Sequence, residues 1–418
     1  MDRDNNDCDN HNLVKRNVKL YGSQSTLHDI IYDQLEDVES DREDNDIEDD
    51  AFFIVDIGEL TTSYFKWTEL LPNVKPYYAM KCNPDQVILE ALSQLGCNFD
   101  CASEDEIKKV LAINADPSRI IFANPCKTVS HIRFAQLNNV NTMTFDCEEE
   151  LRKIKINHPN SKLILRLAVD DSQSVCKFNV KFGCPLEKVS DMLKLAKNLQ
   201  LDIIGFSFHV GSGCLSSEVF YEALRSCRHS TNIAVRMGFH ISIIDLGGGF
   251  PGKQKVVGFE EIAQRINEGL RDFFHGELAN GIIEVIAEPG RYFAEKTQTL
   301  VLNVIGKKEI HHRTKGSTSF VYYLNDGIYG SFNCIYFDHS LPKLIPFNKS
   351  WDEKLYRSTV FGPTCDSMDI IAEAVLLPEL FIGEWVYVKD FGAYTSASSS
   401  AFNGFKTRKF KYIFREKM

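Results

Sequence analysis

Six residues able to do chemistry recur along this 418-residue chain, each closing a short apolar run. Lys81 closes residues 77–81, Asp100 closes 97–100, Arg166 closes 162–166, His209 closes 203–209, Gly247 closes 242–247 and Glu288 closes 283–288. Burial would lower the pKa of the Lys81 amine and free it as a nucleophile, the requirement of a Schiff-base lysine. Taken alone, a strand-end lysine is as readily one that reaches for solvent. The triplet Gly247, Gly248, Gly249 lets the backbone approach a phosphate closely, and Gly290 with Arg291 offers donors at the next turn. Tight turns also need glycine for backbone reasons alone. Glu288 discriminates between these readings. A carboxylate at the ring nitrogen of pyridoxal phosphate keeps that nitrogen protonated, and the protonated ring is an electron sink for a carbanion. His209 can stack flat on such a ring. Lysine, phosphate cradle, histidine and glutamate are together what pyridoxal phosphate needs, and it is the expected cofactor.

Positioning these groups together requires their strands to end on one rim. Runs at 119–124 and 142–146 bring the number of strand-like segments to eight, with helix-length amphipathic stretches between them. The pattern predicts an α/β fold, a (β/α)8 TIM barrel, which gathers its site at the carboxyl ends of its strands. Ser103-Glu104-Asp105-Glu106 reads as a capping box, so Glu106 needs no further role. Past Glu288 the texture changes to β-rich runs at 299–305, 319–324, 358–361 and 384–388, predicting a C-terminal antiparallel β-sheet domain that the strand at 18–21 joins. A helix capped by Ser25 or Thr26 follows that strand. The predicted domains are a disordered tail at 1–12, an N-terminal segment at 13–56 joining the β-domain, the cofactor-binding barrel at 57–297 and the β-domain at 298–418. Residues 33–50 hold eleven acids and one base, carrying ten of the eleven net negative charges, and read as a solvated acidic loop.

Composition excludes several classes. No run of about 18 apolar residues exists and the first ten residues lack a signal peptide's apolar core, so a cytoplasmic protein without membrane or nucleic-acid partners is expected. Twelve scattered cysteines, without zinc spacing, suggest free thiols and no metal site.

Longer motifs carry a resemblance. Tyr78-Ala79-Met80-Lys81-Cys82-Asn83, Phe208-His209-Val210-Gly211-Ser212-Gly213-Cys214, Asp245-Leu246-Gly247-Gly248-Gly249 and Glu288-Pro289-Gly290-Arg291-Tyr292 resemble the eukaryotic ornithine decarboxylases of the alanine-racemase-like fold. So do residues 325–334, Gly362-Pro363-Thr364-Cys365-Asp366 and Gly392-Ala393-Tyr394-Thr395. The resemblance implies that Lys81 holds the cofactor covalently, that Ser212, Gly248, Gly249, Gly290, Arg291 and Tyr394 surround its phosphate, and that Asp100, Arg166, His209 and Glu288 orient lysine and ring. Cys365 matches the thiol that protonates Cα after carbon dioxide leaves, with Lys81 and His209 as the other catalytic residues. Tyr329, Phe337, Asp338 and Asp366 match the substrate pocket. A diamino acid carries a distal ammonium whose desolvation such carboxylates would compensate. On residue grounds alone, Cys365 could be an inert buried thiol and Asp338 a turn residue.

The implied activity is decarboxylation of L-ornithine to putrescine, at the entry to polyamine synthesis, by a homodimer whose active sites draw on both subunits. Lysine or arginine decarboxylases on the same scaffold, or a non-catalytic relative that sequesters the regulator antizyme, are the alternatives. Antizyme itself is a possible partner, and by family position it would bind at residues 127–151. Two departures stand out. Phe337 replaces the tyrosine that often precedes Asp338, removing a hydroxyl near the substrate, and the sequence ends at Met418 where animal enzymes carry a degradation tail.

Overall fold

The computed structural model describes residues 18–40, 50–176, 180–253, 256–312, 317–405 and 408–417. The expected tail at 1–12 and acidic residues 41–49 lie outside them. The chain divides into two units, residues 63–293 and residues up to 62 with those from 294 onward.

In the first unit eight parallel strands close into a barrel: Val74–Ala79, Asn98–Cys101, Ile120–Phe122, Thr142–Phe145, Lys162–Arg166, Asp202–Ser207, Ile243–Asp245 and Glu284–Ala287. Each overlaps a predicted run with shifted bounds: the first strand starts at Val74, ahead of its run, and the last ends at Ala287. Lys81 sits in the 3-10 turn Met80–Cys82, and His209, Gly247 and Glu288 lie just past their strands. Helices between strands follow local rules. Asp85 caps Gln86–Leu95 by accepting from the backbone of Val87 and Ile88 at 3.0 and 3.1 Å, and the helix stops at Gly96, whose φ is +94°. Ser103 accepts from the Glu106 N–H, while the Glu106 carboxylate takes the N–H of Ala102. Tyr77, Ile121, Ile164, Ile204 and Ile286 pack together as an apolar cluster of strand residues. Because side chains alternate along a strand, Arg166 and Glu288 share faces with Ile164 and Ile286 two residues earlier, so a polar layer follows the apolar one.

The second unit is a nine-stranded sheet, and it is mixed rather than antiparallel as expected. Lys19–Tyr21 joins it, as predicted, but pairs in parallel with Lys409–Arg415, which pairs in parallel with Phe52–Asp56. Ser317–Leu324 and Leu355–Phe361 are also parallel, and Ile370–Pro378, not anticipated, forms an edge. The helix Leu27–Ser40 packs Ile30 and Ile31 against Phe52, Ile54, Val301 and Ile413. Thr26 caps it by exchanging hydrogen bonds with Asp29. This helix takes in the start of the acidic block, correcting the expectation of a loop from residue 33. Lys19 explains the difference, since its ammonium pairs with Asp33 at 2.6 Å and Asp37 at 3.1 Å.

Trp67 is fully buried, donates Nε1–H to the Val74 carbonyl at 2.9 Å and meets the rings of Phe250, Phe259, Tyr292 and Phe293 at centroid distances of 4.8 to 5.9 Å. Trp67→Ala should cost the barrel about 3–5 kcal/mol, read as a lower urea midpoint with an unchanged slope. A loss below about 1 kcal/mol would mean the surrounding rings collapse into the space.

Candidate active site

At the barrel mouth the Lys81 ammonium pairs with the Asp100 carboxylate. Asp100 is wholly buried, and the Lys81 side chain beside it is 41 % exposed, opening onto the mouth. The turn holding Lys81 is shaped by Gly290, where a Cβ would lie 2.9 Å from that of Cys82 and 3.3 Å from that of Ala79. Burial pushes the Asp100 carboxyl up, opposed by the charges of Lys81 and Arg166.

Arg166 enters from the neighbouring part of the barrel. Its Nε and Nη2 are buried without a hydrogen-bond partner, and its guanidinium lies 5.1 Å from the Phe182 ring. Asp146 holds that segment by accepting from the Gly183 N–H at 2.9 Å. Burial weakens the Arg166 charge, and Glu288, Asp146, Asp245 and Asp100 support it.

His209 accepts from the Gly211 N–H through Nδ1 at 3.0 Å, which leaves its proton on Nε2. Burial, reinforced by the charges of Arg166 and Lys81, holds it well below the usual imidazole range, so the ring is neutral. Gly248 must lack a side chain, since a Cβ would stand 2.7 Å from His209 Nε2. Gly249, at φ +111°, would bring a Cβ to 2.7 Å from Val210 Cγ2. The triplet is therefore required by packing as well as by any ligand.

Sequence reasoning missed Asp245. Its carboxyl accepts from the Gly247 N–H at 2.8 Å and takes a hydrogen bond from the carboxyl of Glu288. Burial and the charges of Asp245 and Asp100 push Glu288 well above the usual range, so Glu288 keeps its proton. Asp245 itself is pushed up to about 7, chiefly by burial. The only signal available was an acid at the end of an apolar strand beside the glycine turn, and its meaning depends on Glu288, 43 residues later in the chain.

Ser212 lies on a small two-stranded antiparallel ribbon, Ser174–Cys176 with Ser212–Cys214, and its Oγ accepts from Arg291 Nη2 at 3.3 Å. A hydroxyl beside a guanidinium suits a phosphate. Pyridoxal phosphate fits this donor set. The unpartnered buried atoms of Arg166 and Asp100 Oδ1 want a polar ligand, and Ser212 with Arg291 offers its anion a place.

The remaining expected residues belong to the sheet unit. Tyr329 donates its hydroxyl proton to the Asp366 carboxylate, which also accepts from the Met368 N–H at 3.0 Å. Those bonds hold the Asp366 carboxyl below its ordinary range. Cys365 is exposed, not buried, and its N–H donates to Asn403 Oδ1 at 3.0 Å. Asp338 ends the short helix Cys334–Phe337, with Phe337 74 % exposed beside it. Tyr394 takes a left-handed φ of 56°. Among the described residues, no group of three or more acids, histidines or cysteines is arranged to hold a metal, and no helix is long and apolar enough to cross a membrane.

Comparison with known proteins agrees with this geometry. Antizyme inhibitor 2 of Xenopus laevis is 47 % identical over 85 % of this chain and 79 % of its own length. The ornithine decarboxylase of Mus musculus is 42 % identical over 94 % of this chain and 86 % of its own. A crystal structure of the Paramecium bursaria Chlorella virus arginine decarboxylase bound to agmatine superposes with a TM-score of 0.84 at 35 % identity, covering 93 % of this chain and all of that one. The pyridoxal-binding domain of the pyridoxal-dependent decarboxylases matches residues 57–295, and the chain belongs to that family.

Proposed function

We propose that the protein decarboxylates L-ornithine to putrescine, as a cytosolic homodimer opening polyamine synthesis. The observation that carries this is the intact charge set at the barrel mouth: Lys81 on Asp100, neutral His209, and protonated Glu288 on Asp245. A non-catalytic reading is raised by the similarity to antizyme inhibitor 2. It leaves unexplained why Lys81, His209, Glu288, Arg291, Cys365 and Asp366 should all be retained.

As a member of this family the chain uses pyridoxal phosphate, which when bound supplies an electron sink for the bond broken at Cα. Lys81 would hold it covalently and be displaced by the substrate amine. Ser212, Gly248, Gly249, Gly290, Arg291 and Tyr394 would surround the phosphate. Glu288 would sit at the ring nitrogen and hold a proton there, and neutral His209 would lie against a ring face without adding charge. Arg166 would supply its unpartnered N–H groups as donors. Asp366, ionised and oriented by Tyr329, suits a distal ammonium, with Asp338 as a second carboxylate and Phe337 as an apolar neighbour. Cys365 Sγ would return the proton to Cα.

Lys81→Ala should abolish both the visible absorbance of bound cofactor and putrescine formation from L-ornithine. Retained absorbance with turnover would place the covalent link elsewhere.

A pH effect follows from the Glu288–Asp245 pair. Asp245 has a folded-state pKa raised to about 7, so the folded protein holds a proton that the unfolded chain releases above about pH 4. Its stabilising contribution is complete below pH 4 and is lost as pH rises through about 7. Between about pH 5 and pH 8 the melting temperature of cofactor-free protein should fall more steeply than that of Asp245→Asn. Parallel slopes would contradict the raised pKa of Asp245.

The barrel and sheet sets of site residues would meet across a two-fold interface. Equal amounts of Lys81→Ala chains, which cannot turn over, and Cys365→Ala chains, which form little putrescine, randomly mixed, should then recover roughly a quarter of native putrescine formation, because about half the dimers carry one intact site. Persistent inactivity after mass spectrometry confirms subunit exchange would rule out a shared site.

A further inference from the structure

We propose that Asn403 is a positioning residue that sets the loop carrying Cys365, an inference that rests on reading Cys365 as the Cα proton donor. Asn403 sits within the turn Phe402–Gly404 with φ 55° and ψ 15°, a left-handed conformation that side-chain-bearing residues adopt at a cost and asparagine tolerates better than most. Strained backbone at an exposed turn persists where its surroundings demand it. Here the demand is visible. Asn403 Oδ1 accepts the Cys365 N–H at 3.0 Å, bridging residues 38 apart in the chain.

The same short segment also grips Tyr329. Ser400 donates both its N–H and its hydroxyl to the Tyr329 carbonyl, at 2.8 and 3.0 Å, and the Phe402 ring stacks on the Tyr329 ring with centroids 4.4 Å apart and planes inclined by 28°. Residues 400–403 therefore touch both the loop of the proposed proton donor and the loop of the proposed substrate-binding tyrosine.

Asp369 holds those two loops independently. Its buried carboxylate accepts from the Ile328 N–H at 2.8 Å, the Thr364 N–H at 3.0 Å and the Thr364 hydroxyl at 2.7 Å. A Cβ at Gly327 or Gly362 would fall 2.2 or 2.3 Å from Asp369 Oδ1, which accounts for glycine at both positions. With Thr364 tied to Asp369 and Asp366 to Tyr329, the Cys365 N–H is fixed by Asn403. A proton donor displaced by about 1 Å loses much of its advantage. A proton that fails to reach Cα can go to the cofactor carbon instead, and hydrolysis then releases the aldehyde and the aminated cofactor in equal amounts, with carbon dioxide already lost.

Two substitutions separate the hydrogen bond from the backbone strain. Asn403→Gly keeps the left-handed turn and removes the acceptor, whereas Asn403→Asp keeps an acceptor. In Asn403→Gly, kcat for ornithine should fall about 3- to 10-fold, the range of one lost hydrogen bond. KM should stay within about twofold, since the carboxylate of Asp366 is untouched. Aldehyde per carbon dioxide should rise, and Asn403→Asp should restore both. Amide exchange at Cys365 in cofactor-free protein should accelerate about 3- to 10-fold in Asn403→Gly only. Wild-type exchange and wild-type product ratio in Asn403→Gly, alongside a shifted ratio in a parallel Cys365→Ala sample, would overturn the proposal. If Cys365→Ala leaves the product ratio at the wild-type value, the donor reading fails instead, and the exchange rates alone decide whether Asn403 holds the loop.

Discussion

Everything at the barrel mouth depends on one arrangement of buried charge. Arg166 is desolvated among Asp100, Asp245 and Glu288, and the barrel supplies these groups from adjoining strands and strand ends that cannot move independently. Such a set is expensive unless each member is compensated, and removing one partner leaves the others exposed to the full cost of burial. The compensation is specific. Lys81 answers Asp100, a retained proton on Glu288 answers Asp245, and the neutrality of His209 avoids a further cation beside Arg166 and Lys81. The same compensation leaves buried polar atoms of Arg166 and Asp100 without hydrogen-bond partners, which fits a polar cofactor at this mouth.

The barrel was readable because its strands announce themselves locally, as apolar runs with helical patterns between them. Residues such as Lys81, Arg166 and Glu288 stand out there as polar groups on apolar segments. Asp245 was not readable in this way, since its role exists only through Glu288 on the adjacent strand. The sheet unit resisted for a related reason. Lys409–Arg415 inserts between Lys19–Tyr21 and Phe52–Asp56, pairings between distant parts of the chain that no local pattern encodes, so parallel partners were invisible and an antiparallel sheet was the natural expectation. Exposure is likewise a tertiary property. Cys365 and Lys81 could be singled out by type and neighbours, but their openness follows from the turns that hold them. Asn403 carries no signal of its own apart from the glycine that follows it.

Similarity alone does not choose between an antizyme inhibitor and an ornithine decarboxylase, since relatives of both names match, at 47 % and 42 % identity. The charges at the mouth separate these readings, because a scaffold used only for binding a regulator has no need of a protonated acid beside a buried guanidinium. The substrate end is less constrained. Phe337 is open, and the acids Asp338 and Asp366 suit any amino acid with a distal cation.

The release of carbon dioxide from carboxyl-labelled L-ornithine, L-lysine and L-arginine, measured in parallel on protein loaded with pyridoxal phosphate, tests the combined claim most directly. The charge set at the mouth and the acids Asp338 and Asp366 predict carbon dioxide release, with ornithine the fastest of the three by kcat/KM. Protein that binds the cofactor with one visible band per chain, yet releases no carbon dioxide from any of the three, would contradict it.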